Sequence, residues 1–295
     1  MFAQTADTPL STALLDGGLS TALEELGANL NTSLWSGELL RTNRDQIRAA
    51  HKSFADAGAK NLITSSYQIT YPGCLTRGWS HDEVTAALLA STELARCEGV
   101  KVAASVGPYG AYLADGSEYR GNYGLSIDQL KDFHRERLQV LISTNPDYLA
   151  IETIPEIAEA EAILELLEEL GSTIPFWISF SCKNEREISS GELFADAASR
   201  VTRSPYAIGV GINCTAPSLI SSLMKSVTSD CPFIIYPNSG REWDAINKRW
   251  IGDQSTAFSD EEIAQWQDLG AVIIGGCCGV GPADIKELGA ILAKN

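Results

Sequence analysis

Residues 271–280 read AVIIGGCCGV: four apolar residues of strand type, two glycines, and then the neighbouring cysteines Cys277 and Cys278. A run that is apolar at every position suits a strand buried on both faces, because a strand with one wet face alternates. Seven more strand-like runs precede it, at 13–16, 61–66, 101–106, 148–153, 175–182, 207–214 and 233–238, and several are also apolar nearly throughout. Amphipathic stretches with helix signals separate them. DEVTAALLASTELARCEG (82–99) follows Ser80 and His81 and stops at Gly99. SIDQLKDFHRERLQVLIS (126–143) opens on Ser126 as its cap. PEIAEAEAILELLEELG (155–171) places Pro155 in the first turn, acidic residues early and Gly171 as its stop, and its acidic face reads as solvated. SDEEIAQWQDLG (259–270) repeats the scheme with Ser259 and Gly270.

Eight strands, each followed by a helix, match the length and order of an α/β (β/α)8 TIM barrel, read as a single domain over residues 1–295. An open doubly wound sheet is the alternative, since periodicity does not report closure. With 44% hydrophobic and 20% charged residues the chain can bury a large core. A net charge of −16 repels nucleic acid and anionic membranes, so neither is expected as a partner. No segment approaches the roughly 20 apolar residues of a membrane span. The opening MFAQTADTPL lacks the pattern of a secretory signal. Seven cysteines in such a chain suggest reduced thiols and a cytoplasmic location. Small-molecule substrates are expected, and a homo-oligomer is compatible with the sequence.

In a barrel the C-terminal ends of the strands share one mouth. Reading those ends gives Asp16, then Tyr67 and Gln68, Glu152, Ser179, Cys214, Asn238, and the pair Cys277 and Cys278. Two long connections, 107–125 with four tyrosines and 239–257 with two tryptophans, fall on the same face. Three thiols from the sixth and eighth runs suit zinc, which takes four tetrahedral ligands and keeps one position open at a catalytic site. Gly275, Gly276 and Gly279 give the backbone freedom for adjacent cysteines to ligate together. His51, His81 and His134 fall in helices without metal-ligand spacing and read as surface or packing residues. Cys74, Cys97, Cys182 and Cys231 read as small semi-buried residues, with Cys182 close to the mouth. The rival for Cys277 and Cys278 is a ring disulfide or redox pair, which leaves Cys214 without a role.

Three thiolates on zinc carry a net charge of about −1, poor for hydrolysis but suited to holding an incoming thiol as a reactive thiolate. Asp16 and Glu152 are placed to hold the ammonium group of an amino-acid substrate; the other reading of each is a turn or capping role.

The residues LLDGGLST, SYQIT, GPYGAYLADGSEYRGNY, AIETIPEIAEA, WISFSC, GINC, YPNSG and IIGGCCG together resemble the homocysteine S-methyltransferases over nearly the whole chain. The resemblance implies a zinc-dependent (β/α)8 barrel with one zinc per chain on Cys214, Cys277 and Cys278. It implies contacts from Asp16 and Glu152 to the amino end of homocysteine, with Asn238, Gln68 and Ser179 as further polar contacts in the pocket. The GPYGAYLADGSEYRGNY stretch is most similar to the short members that use S-methylmethionine or, less favoured here, S-adenosylmethionine. The resemblance is therefore not to the far longer relatives fused to cobalamin and folate modules, nor to betaine-using ones, which differ in the donor region and carry an extra C-terminal segment; neither reading is expected here. Tyr109, Tyr112, Tyr119, Tyr123, Trp243 and Trp250 are candidates to face a sulfonium, each with ordinary loop packing as the alternative. Selenocysteine as acceptor, and a zinc-binding or thiol-redox protein without methyl transfer, remain the other functional readings.

Overall fold

A computed structural model of the chain describes residues 12–294, except 31, 33, 229, 241, 245–248 and 252–257, and the backbone alone of 242–244 and 249–251. Eight strands form one parallel sheet: β1 (Ala13–Leu14), β2 (Asn61–Ile63), β3 (Lys101–Val106), β4 (Tyr148–Ile154), β5 (Phe176–Phe180), β6 (Ala207–Asn213), β7 (Phe233–Tyr236) and, after a hairpin of β8 (Glu242–Asp244) and β9 (Arg249–Ile251), β10 (Ala271–Ile274). Their order is β1-β10-β7-β6-β5-β4-β3-β2, and a parallel bridge between Leu15 and Asn61 joins the two ends. The sheet therefore closes, and the open doubly wound alternative is set aside.

The seam between β1 and β2 is the thinnest part of the barrel. Asp16 N–H donates to the Asn61 carbonyl at 3.1 Å, and Ile63 N–H donates to Asp16 Oδ2 at 2.8 Å, so a side-chain carboxylate stands in for a ladder carbonyl. Inside the barrel Leu15, Ala103, Ala150, Trp177, Ile234, Tyr236 and Ile273 pack as an inner cluster. Gly209, opposite Trp177 on the neighbouring strand, makes room for Ile234 and the Pro232 carbonyl, from which a Cβ would be 2.6 and 2.4 Å. Gly211 makes room in the same way, since a Cβ there would come 1.8 Å from Ser179 Oγ. Alternating large and small inward residues is how such barrels fill their interior; truncating Trp177 to Ala would cost about 3–5 kcal/mol. A second, larger core lies between the strands and the outer helices.

The helices follow the sequence signals with informative exceptions. Ser80, Ser126 and Ser259 each cap a helix through a capping box, over His81–Ala95, Ile127–Ser143 and Asp260–Asp268. The first of these ends at Ala95, ahead of the Gly99 stop. Pro155 lies outside the helix Ile157–Glu169, whose N-cap is Glu156. The acidic face of that helix is not uniformly solvated: Glu156 and Glu159 turn inward and are buried, because both accept hydrogen bonds from the 107–125 connection. Cys74 lies in a short helix, Tyr71–Leu75, and is fully buried. His51 and His134 are buried, while His81 pairs with Glu136 at the surface. Among the described residues no helix is long and apolar enough to cross a membrane.

Candidate metal centre and substrate cavity

A cavity of about 500 Å³ opens at the C-terminal ends of the strands. Cys214, Cys277 and Cys278 lie on its wall, with their sulfur atoms all within 4.8 Å of one another. Cys214 follows β6 in a left-handed backbone conformation, φ +45°, which turns its side chain toward the last strand. The turn after β10 is tied to its neighbours: Gly276 N–H donates to the Asp16 carbonyl, Cys277 N–H to the Pro237 carbonyl at 2.7 Å, and Ser239 N–H to the Cys278 carbonyl at 3.0 Å. Gly279 permits that turn, with φ +79° and no room for a Cβ, which would fall 2.3 Å from Ser239 Oγ.

Zinc–sulfur bonds of about 2.3 Å in a tetrahedron set neighbouring sulfurs about 3.8 Å apart. Cys278 Sγ is 3.9 Å from both Cys214 Sγ and Cys277 Sγ, the spacing such an ion needs for those two pairs, and three thiols suit it once reduced. Cys214 and Cys277 are joined as a disulfide in this structure, their Cα atoms 5.7 Å apart. Burial pushes the Cys278 thiol up to about 12, and the nearby acidic groups Glu152, Glu118 and Glu24 act in the same sense.

The other strand-end residues divide between the cavity wall and the layer behind it. Glu152 lines the cavity and accepts from Ser105 Oγ. Burial raises its carboxyl to about 7, against the opposing effect of the hydrogen bond from Ser105. Gln68 lines the cavity too; its Nε2 donates to the Ala111 carbonyl at 3.2 Å while its Oε1 has no protein partner. Asp16 sits at the seam behind the wall, with Oδ1 buried and unpartnered, and burial holds its carboxyl well above the usual range. Ser179 is fully buried one layer down, accepting from the Tyr236 hydroxyl at 2.7 Å. Asn238 closes a turn, accepting from Gly240 N–H at 3.0 Å.

Further residues on the wall carry weaker sequence signals. Thr153, next to Glu152, has φ +62°. Asn213 holds it there: Thr153 N–H donates to Asn213 Oδ1 at 2.9 Å, and Asn213 Nδ2 donates to Thr153 Oγ1 at 2.8 Å. One buried amide therefore fixes the residues beside both Glu152 and Cys214. Leu30, Thr32 and Trp35 reach the cavity from the segment after the first helix.

The 107–125 connection supplies Glu118 and Tyr119 to the wall. Of its four tyrosines only Tyr119 lines the cavity, whereas Tyr109 packs against Tyr112, Tyr123 and Phe133 at centroid distances of 4.9–5.4 Å. The connection is anchored by a buried polar cluster. Glu159 accepts from Tyr109 N–H at 2.5 Å and from His134 Nε2–H at 2.8 Å, and Arg137 Nη2 donates to His134 Nδ1 and to the Gly107 carbonyl. The side chains of Trp243 and Trp250 lie outside the described residues.

Comparison with known proteins agrees with this geometry. The profile of the family described as homocysteine S-methyltransferase matches residues 13–292. Homocysteine S-methyltransferase 1 of Arabidopsis thaliana is 43% identical, over 96% of this chain and 94% of its own. Homocysteine S-methyltransferase YbgG of Bacillus subtilis is also 43% identical, over 94% and 93%. The metallated form of the homocysteine methyltransferase MmuM from Escherichia coli superposes with a TM-score of 0.83 at 36% identity, covering 97% of this chain and 96% of that one. Its oxidised form superposes with a TM-score of 0.84, also at 36% identity, covering 96% and 99%. With the barrel, the three converging cysteines and these relatives in agreement, the chain belongs to the homocysteine S-methyltransferase family.

Proposed function

We propose that this methyltransferase is zinc-dependent and moves a methyl group from a sulfonium donor, S-methylmethionine ahead of S-adenosylmethionine, to L-homocysteine, forming methionine. The observation that carries the reading is the convergence of three cysteine sulfurs within 4.8 Å on the wall of a cavity that also presents the buried carboxylate of Glu152. The metallated form of the E. coli relative supports a metal here. Cys214, Cys277 and Cys278 would hold the zinc, which lowers the pKa of the substrate thiol so that a thiolate exists at neutral pH.

The chain's own groups then orient the reaction. Glu152 and the free oxygen of Asp16 accept hydrogen bonds from the homocysteine ammonium, and Gln68 Oε1 offers a further acceptor. Ser105 and Asn213 fix Glu152 in place, while Ser179 supports it indirectly through Tyr236. Asn238 closes the turn beside the cluster and is proposed as a further contact. The homocysteine sulfur attacks the methyl carbon in line, the carbon–sulfur bond of the donor breaks, and the donor sulfur keeps the electron pair and leaves as a neutral thioether. Catalysis consists of positioning and of excluding water from the thiolate. One homocysteine-binding domain over residues 1–295 and a cytoplasmic location belong to the same proposal, since thiol ligands must stay reduced to bind metal.

The test is kcat/KM for methionine formation by reduced, zinc-loaded protein with L-homocysteine and each sulfonium in turn. Turnover with either supports the reading, and the ratio assigns the donor. Bound zinc without turnover sinks methyl transfer from sulfonium. Cys214→Ser is expected to lose the metal as well as the activity; a redox pair confined to Cys277 and Cys278 would be indifferent to it. The same assay with selenocysteine shows whether a selenol is accepted.

A further inference from the structure

The wall contributed by the 107–125 connection has no role in the proposal above, yet it holds a buried charge. Glu118 lies on the single turn Ser117–Tyr119 and is 8% exposed, and its Oε2 has no hydrogen-bond partner. Its position is set by the backbone: its carbonyl accepts from the buried hydroxyl of Ser181 at 2.9 Å, which joins the turn to the end of β5. A carboxylate oxygen buried without a partner is costly. Among the described residues no Lys, Arg or His lines the cavity; the nearby Arg120 is exposed and its guanidinium is engaged by Asp115 and Ser117 Oγ, outside the cavity wall. The missing partner has to arrive with a ligand, and it has to be positive or a strong donor. Burial raises the Glu118 carboxyl to about 7, against the opposing effects of its own backbone hydrogen bond and of Arg120.

Location narrows the choice. Glu118 and Tyr119 line the same cavity as Cys214, Cys277 and Cys278. For in-line transfer the methyl carbon lies about 3–3.5 Å from the attacking sulfur, and the departing sulfur lies beyond it on the same line. The departing sulfur therefore sits near the cluster but outside the strand-end residues that face homocysteine. The turn lines the cavity from the 107–125 connection, away from the strand ends.

We infer that Glu118 is the counter-ion of the donor's sulfonium, with the Tyr119 ring beside it, and that this pair makes the cavity prefer a charged onium donor to a neutral thioether. The inference rests on the sulfonium-donor reading above. As the methyl group departs, the donor sulfur takes the bonding pair and loses its positive charge. Glu118 then faces a neutral thioether, and the attraction that held the donor is gone. Because the charge on sulfur is already falling in the transition state, the carboxylate contributes more to holding the donor than to the chemical step. Its removal should appear mainly in the donor's KM.

The experiment measures binding of S-methyl-L-methionine and of L-methionine, separately, to reduced, zinc-loaded full-length protein by calorimetry, for wild type, Glu118→Gln and Glu118→Asp. Steady-state kinetics and zinc content are measured on the same samples. Wild type is expected to bind the sulfonium at least about tenfold more tightly than the thioether, the scale of one charge-assisted contact. Glu118→Gln should erase that preference and raise the donor KM about 10- to 100-fold, with a much smaller change in kcat and with zinc content and homocysteine KM unchanged. Glu118→Asp, which keeps the charge, should retain part of the preference. If Glu118→Gln weakens both ligands equally, the carboxylate holds their shared ammonium or only shapes the turn, and the inference is overturned. If wild type prefers the sulfonium and Glu118→Gln still does, the inference alone fails. If wild type shows neither preference nor turnover with a sulfonium, the donor reading fails with it.

Discussion

The two walls of the cavity are built differently. The strand-end wall carries the cysteines and Glu152 on residues whose backbone belongs to, or directly extends, the parallel ladder. Its geometry comes with barrel closure, and only local devices such as the Asn213 clamp on Thr153 are added. The loop wall carries Glu118 and Tyr119 on a connection held by carboxylates of a helix that follows in the chain, Glu156 and Glu159. A chemistry that needs one thiolate centre and one variable partner is served by this division. On the function proposed above, the rigid wall would fix the centre and the loop wall would fit the partner.

The comparison is tested most severely by Glu159→Ala. Removing one member of a buried charged cluster leaves Arg137 uncompensated, at about 3–5 kcal/mol. For a chain of this size that is a fall in Tm of roughly 10 °C, read by calorimetry. Where the variant folds, the donor KM should rise while zinc content and homocysteine KM hold. Equal loss on both substrates would break the distinction between the walls.

Asn213→Ala is the counterpart on the strand side and a smaller perturbation. It leaves the Thr153 N–H buried without an acceptor, at about 1–3 kcal/mol, and removes what holds Thr153 at φ +62°. Homocysteine KM should rise by about tenfold or more with little change in donor KM. A mainly donor-side effect would place Glu152 in the wrong half of the reaction.

His51 belongs to neither wall and serves as the control. It is fully buried with both ring nitrogens unpartnered, and burial lowers it to about 4. The unfolded chain takes up a proton below about pH 6.5 while the folded chain does not until about pH 4. Stability is therefore lost as pH falls through that window and levels off below it. His51→Leu should leave both KM values and neutral-pH stability nearly unchanged. It should also remove an acid-side loss on the order of 3 kcal/mol, seen as a flatter profile of denaturant midpoint against pH. An unaltered profile would show that His51 is not what titrates.

Legibility in the sequence divides along the same line. The eight apolar runs show the strands because burial on both faces leaves a local, countable pattern, and the cysteines after Asn213 and Gly276 are visible as the punctuation of those runs. The rest depends on contacts that no local pattern records. The Asn213–Thr153 clamp spans 60 residues. The inward turn of Glu156 and Glu159 breaks an acidic face that looks uniform, because the backbone they bind belongs to another connection. Ser179 shows the limit of reading strand ends alone. It faces the barrel interior like Trp177 two residues earlier, yet lies one layer below the mouth, where it supports Tyr236. Glu118 gives no sign in the sequence, since its importance comes only from burial without a partner.

The seam between β1 and β2 has one further consequence. Asp16 gives one oxygen to the Ile63 amide and leaves the other unpartnered behind the cavity. Any change in the charge on that carboxyl, or any ligand that draws it forward, is transmitted to the hydrogen bond at the point where the barrel closes. The Ile63 amide proton is thus a built-in spectroscopic reporter: its chemical shift and exchange rate register at the edge of the sheet what occupies the mouth.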